Sequence, residues 1–138
     1  MDAARLKAIP LFAALGKKEL KRVASMALAL DAQPGDRLLN EGAYAFEFFA
    51  IESGAAEVVR DGKHLADLGP GDVVGEMGAL SHGQRTATVI AKEPTTVIYI
   101  RAQDFRHFAN DMPALGEQIH QLVEERTRSL AAEVDAAS

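Results

Sequence analysis

The residues whose types and spacing could do chemistry lie in one stretch, Gly75-Glu76-Met77-Gly78-Ala79-Leu80-Ser81-His82-Gly83-Gln84-Arg85-Thr86-Ala87-Thr88. Its first half is too short for an alternating strand and suits a single helical turn leaving Gly75, where the missing side chain lets another backbone come close. The start of a helical turn presents unpaired N–H groups at the positive end of a dipole, which makes it a seat for an anion. Arg85 is the one formally charged residue between Glu76 and Lys92, and its planar guanidinium can bond two phosphate oxygens at once. Thr86 adds a hydroxyl, and Ala87 a backbone N–H with no bulky side chain in the way. Glu76 would repel a phosphate and needs a donor of its own, for which a ribose hydroxyl is the natural choice. Phosphate and ribose held by an Arg and a Glu nine residues apart imply a nucleotide, and a compact one.

The charge distribution makes that arginine matter. Of the 138 residues, 48% are apolar and 25% charged, with a net charge of −5. Residues 1–22 carry six positive groups (Arg5, Lys7, Lys17, Lys18, Lys21, Arg22) against Asp2 and Glu19, so they sum to +4 and the remainder to −9. Such a body does not coat nucleic acid, whose binding depends on neutralising phosphates, and any anionic ligand must be held by a local device. The composition is that of an ordinary globular chain of one domain. No signal peptide is expected, and the longest run without Asp, Glu, Lys or Arg, Ala8 to Gly16, is nine residues, against about 20 needed to span a membrane. The absence of cysteine excludes disulfide scaffolds, thiolate zinc sites and cysteine nucleophiles, and a soluble, cytoplasmic protein is expected.

The elements that must position these residues follow from punctuation and period. Leu20, Val23, Ala24, Ala27 and Leu28 follow helical spacing after Gly16, which predicts an amphipathic helix of about three turns and N-terminal helices over 1–30. From Pro34 onward, Pro34-Gly35-Asp36, Glu41-Gly42, Ser53-Gly54, Asp61-Gly62, Gly69-Pro70-Gly71-Asp72 and Gly83 punctuate the chain in the manner of an all-β sandwich or barrel. Strand composition fills Arg37 to Asn40, Phe46 to Ile51, Glu57 to Arg60, Lys63 to Leu68, Thr86 to Ala91 and Thr95 to Arg101. Asp61-Gly62 is the best hairpin signal, because a type I′ turn needs positive φ at both central residues. Helical spacing returns over Gln103 to Asn110, stops before Pro113, and resumes with Leu115, Ile119, Leu122, Val123, Leu130 and Val134 on one stripe. The expected fold is α+β, mainly β: a jelly-roll-like β-roll of eight strands over 34–101, N-terminal helices before it and two C-terminal helices over 103–134.

At this point the chain resembles a known family. Gly75-Glu76-Met77-Gly78-Ala79-Leu80 followed by Arg85-Thr86-Ala87-Thr88 is similar to the phosphate-binding cassette of the cyclic nucleotide-binding domain, found in the bacterial catabolite activator, kinase regulatory subunits and gated channels. Weaker matches run through Pro34-Gly35-Asp36, Asn40-Glu41-Gly42, Phe49-Ala50-Ile51, Ser53-Gly54 and Gly69-Pro70-Gly71-Asp72, so the likeness covers most of the chain as one domain, 1–138, with its cassette at 75–87. The resemblance implies a ligand-binding set of Gly75, Glu76, Met77, Gly78, Arg85, Thr86 and Ala87. Glu76 would hold the ribose 2′-hydroxyl, Arg85 the exocyclic phosphate oxygens, and N–H groups near Met77 and Ala87 the rest of the cyclic phosphate. Thr86 would bond the phosphate. In parts of the family a Thr here also reaches a syn guanine, while other members with a hydroxyl prefer adenine; cAMP is the expected ligand and cGMP the alternative. Val74 stands where an aromatic is common, and Ala43-Tyr44-Ala45-Phe46 replaces a Gly/Asp-rich turn.

Other chemistry is weaker. Ser25, Ser53, Ser81 and Ser129 lack the neighbours of a nucleophile–base pair, so no enzyme and no cofactor are expected. A metal cupin needs clustered histidines, whereas His64, His82, His107 and His120 are all more than ten residues apart. Lys17, Lys18, Lys21 and Arg22 read as a solvated helix face, and Phe46, Phe48 and Phe49 as core. The last helix can close over the ligand or pair with a second copy as a homodimer. The expectation is therefore a regulatory sensor signalling through its C-terminal helix to an effector the sequence does not name. The alternative is the same fold without nucleotide, acting as a protein-interaction module.

Overall fold

Two Pro-Gly-Asp sequences turn the chain in the same way. Asp36 N–H donates to the Gln33 carbonyl at 3.0 Å while Gly35 takes φ +91°, and Asp72 N–H donates to the Gly69 carbonyl at 3.0 Å while Gly71 takes φ +91°. Proline sets the first central residue of each turn and glycine the left-handed second one. Each aspartate then accepts the N–H of the residue that opens its turn, from Gln33 and Gly69, both at 2.8 Å.

The computed structural model describes residues 1–43, 47–74, 85 and 87–127, and of 123, 126 and 127 the backbone alone. Eight strands run in chain order: β1 Ala27–Ala32, β2 Arg37–Leu39, β3 Glu47–Ser53, β4 Ala56–Arg60, β5 Lys63–Leu68, β6 Val73–Val74, β7 Thr88–Ala91 and β8 Thr95–Arg101. They form two four-stranded antiparallel sheets, β1-β8-β3-β6 and β2-β7-β4-β5. Helix α1 (Ala3–Lys7), a 3-10 turn (Pro10–Phe12) and α2 (Lys17–Ser25) precede them, and α3 (Ala102–Asp111) and α4 (Pro113–Thr127) follow. This is the expected mainly-β roll with flanking helices. No described helix is long and apolar enough to cross a membrane.

Period-2 alternation along β3 divides the core. Phe48 and Ala50 face the helices, in one cluster with Phe12, Val23, Ile98, Ile100, Phe105 and Leu115. Phe49 and Ile51 face the inside of the roll with Leu39, Val58, Val74, Ala87, Val89 and Val97. On the helix side the Phe48 ring stacks on Phe105 at 4.3 Å and 9° between planes, and meets Phe12 edge-on at 6.0 Å. Met112 takes φ −117° and ψ 95°, the extended conformation demanded of a residue before proline, and this separates α3 from α4. The Asp61-Gly62 hairpin forms with φ 51° and 77°. Leu115 and Ile119 of the expected stripe are buried; Leu130 and Val134 lie outside the described residues.

One expectation is overturned. The N-terminal helix does not continue through Ala27 and Leu28 and does not occupy 27–30: α2 ends at Ser25, and Ala27–Ala32 form β1. The open edge of β8 supplies an unbroken ladder, Ala27 opposite Ile100 through Ala32 opposite Thr95, which a further helical turn could not use. The basic face of α2 is exposed as expected, but Arg22 bonds Asp111 at 2.7 Å and lies over the Phe108 ring at 5.4 Å, tying α2 to α3.

Candidate functional site

Arg85 is where the described structure meets the expected site. It is 2% exposed and held by its backbone in both directions: its N–H donates to the Ala43 carbonyl and its carbonyl accepts from the Gly42 N–H, each at 2.7 Å. Gly42 takes φ +81° at this turn, a region glycine enters without steric cost. The side chain then reaches the next strand, where Nη2 donates to the Glu47 carbonyl at the start of β3. The turn is fixed from the other side by Thr88, whose Oγ1 accepts the Glu41 N–H at 3.1 Å. Arginine keeps its charge at any working pH, and taking a charge out of water costs several kcal/mol unless it is paired and bonded. The guanidinium is a planar fork of five N–H donors, matched to carboxylate or phosphate oxygens.

Of the other expected site residues, Ala87 is described. It is 1% exposed, its methyl lies in the inner core, and β7 begins at the next residue. Gly75, Glu76, Met77, Gly78 and Thr86 lie outside the described residues, as does His82. Their approach is described: Val74 is 1% exposed and opposite Phe49, and Phe49 pairs with Tyr99 at 6.0 Å between ring centres. Val74 and Phe49 belong to the inner core cluster, and Tyr99 packs against it.

Sequence reasoning missed Gly42, Ala43 and Glu47, which hold Arg85, and Thr88 as a brace. The first three act through backbone atoms, which carry no side-chain signal; the positive-φ glycine in Glu41-Gly42 was the only local mark.

Two ion-pair groups lie away from Arg85. Arg5 bonds Glu52 with two nitrogens, Nε to Oε2 at 2.8 Å, and joins α1 to the end of β3. That hydrogen bonding holds the Glu52 carboxyl below the usual carboxylate range. On β4 and β5, Glu57 accepts from His64 Nδ1 at 2.9 Å and from Lys92 at 3.1 Å, and these bonds lower its pKa as well. With Asp67 this makes the one group of three metal-ligating side chains among the described residues. His64 and Asp67 are exposed and Glu57 half-buried, and the His64 ring faces Glu57 with one nitrogen and Asp67 with the other, which suits an ion-pair cluster better than convergence on one ion.

Comparison with known proteins decides the family. The family model for the cyclic nucleotide-binding domain matches residues 30–111, from β1 to the end of α3. This chain belongs to the cyclic nucleotide-binding domain family. Acetyltransferase Pat of Mycolicibacterium smegmatis is 38% identical over 96 residues, 67% of this chain and 29% of its own length. The cyclic AMP receptor protein of Thermus thermophilus is 26% identical over 96% of this chain and 64% of its own. The solved catabolite activator protein of that organism superposes with a TM-score of 0.78 at 26% identity, covering 92% of this chain and 62% of its own. A regulatory subunit of a cAMP-independent protein kinase A from Trypanosoma brucei gives a TM-score of 0.75 at 26% identity, covering 91% and 46%. Against several curated relatives the chain spans only 28% to 37% of their length. The names of these relatives include an acetyltransferase and a regulatory subunit of a cAMP-dependent protein kinase.

Proposed function

We propose that residues 1–138 form one cyclic nucleotide-binding unit that takes cAMP in preference to cGMP and acts as a regulatory sensor. The observation that carries this reading is the burial of Arg85, clamped through backbone and side chain to the 42–47 segment of a family member. A fork held in place before the ligand arrives loses little freedom on binding. In this reading Arg85 bonds the exocyclic phosphate oxygens, Thr86 and the N–H groups near Met77 and Ala87 complete the phosphate seat, and Glu76 takes the ribose 2′-hydroxyl. Gly75 and Gly78 allow the backbone to approach. The name of the Thermus relative supports cAMP.

The signal runs through the helices. α3 rests on β3 by the stack of Phe105 on Phe48, and α4 follows directly after Met112, so a shift of α3 carries α4 with it. Nucleotide moves this equilibrium only by binding one arrangement better than the other. The unit is cytoplasmic, performs no catalysis and acts on an effector outside these residues; its last helix either closes over the base or pairs with a second copy. The Trypanosoma relative described as cAMP-independent favours a second reading, in which the fold serves as an interaction module without nucleotide.

Calorimetry with cAMP and cGMP separates the two. Wild type is expected to bind, and Arg85→Ala to lose at least about tenfold in affinity, since each charge-assisted bond is worth roughly 1.5 to 3 kcal/mol. Arg85→Lys keeps the charge without the fork and serves as the check that the roll still folds. Wild type that gives no heat with either nucleotide hands the function to the interaction-module reading.

A further inference from the structure

Each of the two sheets ends in two edge strands, and three of the four edges are blunted. β6 is two residues long. β2 is three residues long, carries Arg37 and slips register against β7. β5 carries Lys63, His64 and Asp67 and is bulged against β4. Short strands, charges and bulges are the devices that keep a sheet edge from pairing with another chain.

β1 has the least of these protections: a single charge, Asp31, near its end. It is six residues long, regular in register with β8 along its whole length, and bonded among the described strands on that side alone. Four consecutive residues, Leu28, Ala29, Leu30 and Asp31, are exposed, with Leu28 at 55% and Leu30 at 46%. Leu28 lies opposite Tyr99 and Leu30 opposite Val97, so the two leucines continue the apolar inner face of the sheet past its end.

We infer that β1 is a self-association edge, and that its occupant is the β1 of a second copy, paired antiparallel about a two-fold axis at Ala29. An isologous contact needs a self-complementary patch, and Leu28-Ala29-Leu30 reads the same in both directions. In this register each Leu28 meets the other copy's Leu30 on one face, as cross-strand pairs do. Asp31, the only charged residue of β1, falls opposite Ala27 of the other copy. The two Asp31 carboxylates are thereby set four positions apart, where a register centred on Leu30 would bring them to diagonal neighbours. The joined sheets form one continuous sheet of eight strands. This contact is distinct from any pairing of the last helix.

The absence of cysteine gives a clean test. Directly opposed Cβ atoms lie within disulfide reach, so the A29C variant is expected to form a disulfide-linked dimer on mild oxidation, while a K63C control on the blunted β5 edge stays monomeric. Sedimentation of wild type across the micromolar range is expected to show a concentration-dependent dimer. The L28K/L30K double variant, altered only at exposed side chains, should weaken it at least tenfold with its thermal melt unchanged. Wild type that remains monomeric throughout overturns the inference. So does a dimer that survives L28K/L30K while the A29C variant fails to crosslink, because that places the contact elsewhere.

Discussion

If α3 is held to the roll by one aromatic stack, the energy of that stack can be isolated. Phe48 and Phe105 are both fully buried, with ring centres 4.3 Å apart and planes 9° from parallel. Leucine at either position removes about one to two buried methylene equivalents, roughly 1 to 1.5 kcal/mol by transfer, together with the ring pairing, about 0.5 to 1.5 kcal/mol. Each single variant, Phe48→Leu or Phe105→Leu, should therefore cost about 2 to 3 kcal/mol. Phe48→Leu should cost more, because Phe48 also meets Phe12 edge-on at 6.0 Å. The double variant loses the stack once, not twice, so its cost should fall short of the sum by about 0.5 to 1.5 kcal/mol. Urea unfolding read by circular dichroism measures all four corners of the cycle. With a slope of about 1.5 kcal/mol per molar, each single change moves the midpoint by about 1.5 M, and a domain of ordinary stability, about 5 to 15 kcal/mol, survives the double change. Costs that add within about 0.3 kcal/mol would refute the reasoning: the rings would then be neighbours in the core without joining α3 to β3, and a relay through them would have no physical basis.

Two further expectations test the frame around the site. Gly54 takes φ +96°, and a Cβ there would sit 2.6 Å from the Pro94 carbonyl oxygen and against Thr95; Gly54→Ala should therefore cost at least about 3 kcal/mol, and a thermal melt within a few degrees of wild type would show that the turn relaxes. The lowered pKa of Glu52, caused first by its hydrogen bonds from Arg5, fixes the sign of a pH effect. Its contribution is complete above the unfolded carboxylate pKa, about 4.3, and is lost as pH falls through the lower folded value. Urea midpoints of wild type and Glu52→Gln should differ by a constant amount above about pH 5 and converge toward pH 3; a gap that widens on acidification contradicts the assignment.

What could be read from the sequence was whatever is decided within a few residues. Asp61-Gly62 marked its hairpin because both residues had to take positive φ, and both do. Pro113 marked the break between α3 and α4 because it constrains Met112 directly. β1 was not legible. In Met26-Ala27-Leu28-Ala29-Leu30 every residue is apolar, so no contrast reveals a period of two, and Ala27 and Leu28 happen to extend the stripe of α2. What makes the segment a strand is the edge of β8, about 70 residues away in the chain. The candidate site divides in the same way. Arg85 stood out by charge and spacing, while its holders, Gly42, Ala43 and Glu47, lie some 40 residues earlier and contribute only backbone.

Those holders bear on how a ligand could be felt beyond its seat. The Nη2 bond of Arg85 ends on the Glu47 carbonyl, one residue before Phe48, and the next residue, Phe49, faces the opposite core. β3 is thus a common wall: one face of residues 47–49 belongs to the inner core around Val74 and Ala87, the other to the stack that seats α3. A rigid seat alone shifts no equilibrium, because a ligand that meets the same site in both states favours neither. The differential contact must come from something that changes place against β3. Close packing transmits such a change as a switch between discrete arrangements and not as a gradual bend. In the proposed reading that element is α3, which reaches the wall through Phe105 and passes into α4 across the single extended residue Met112.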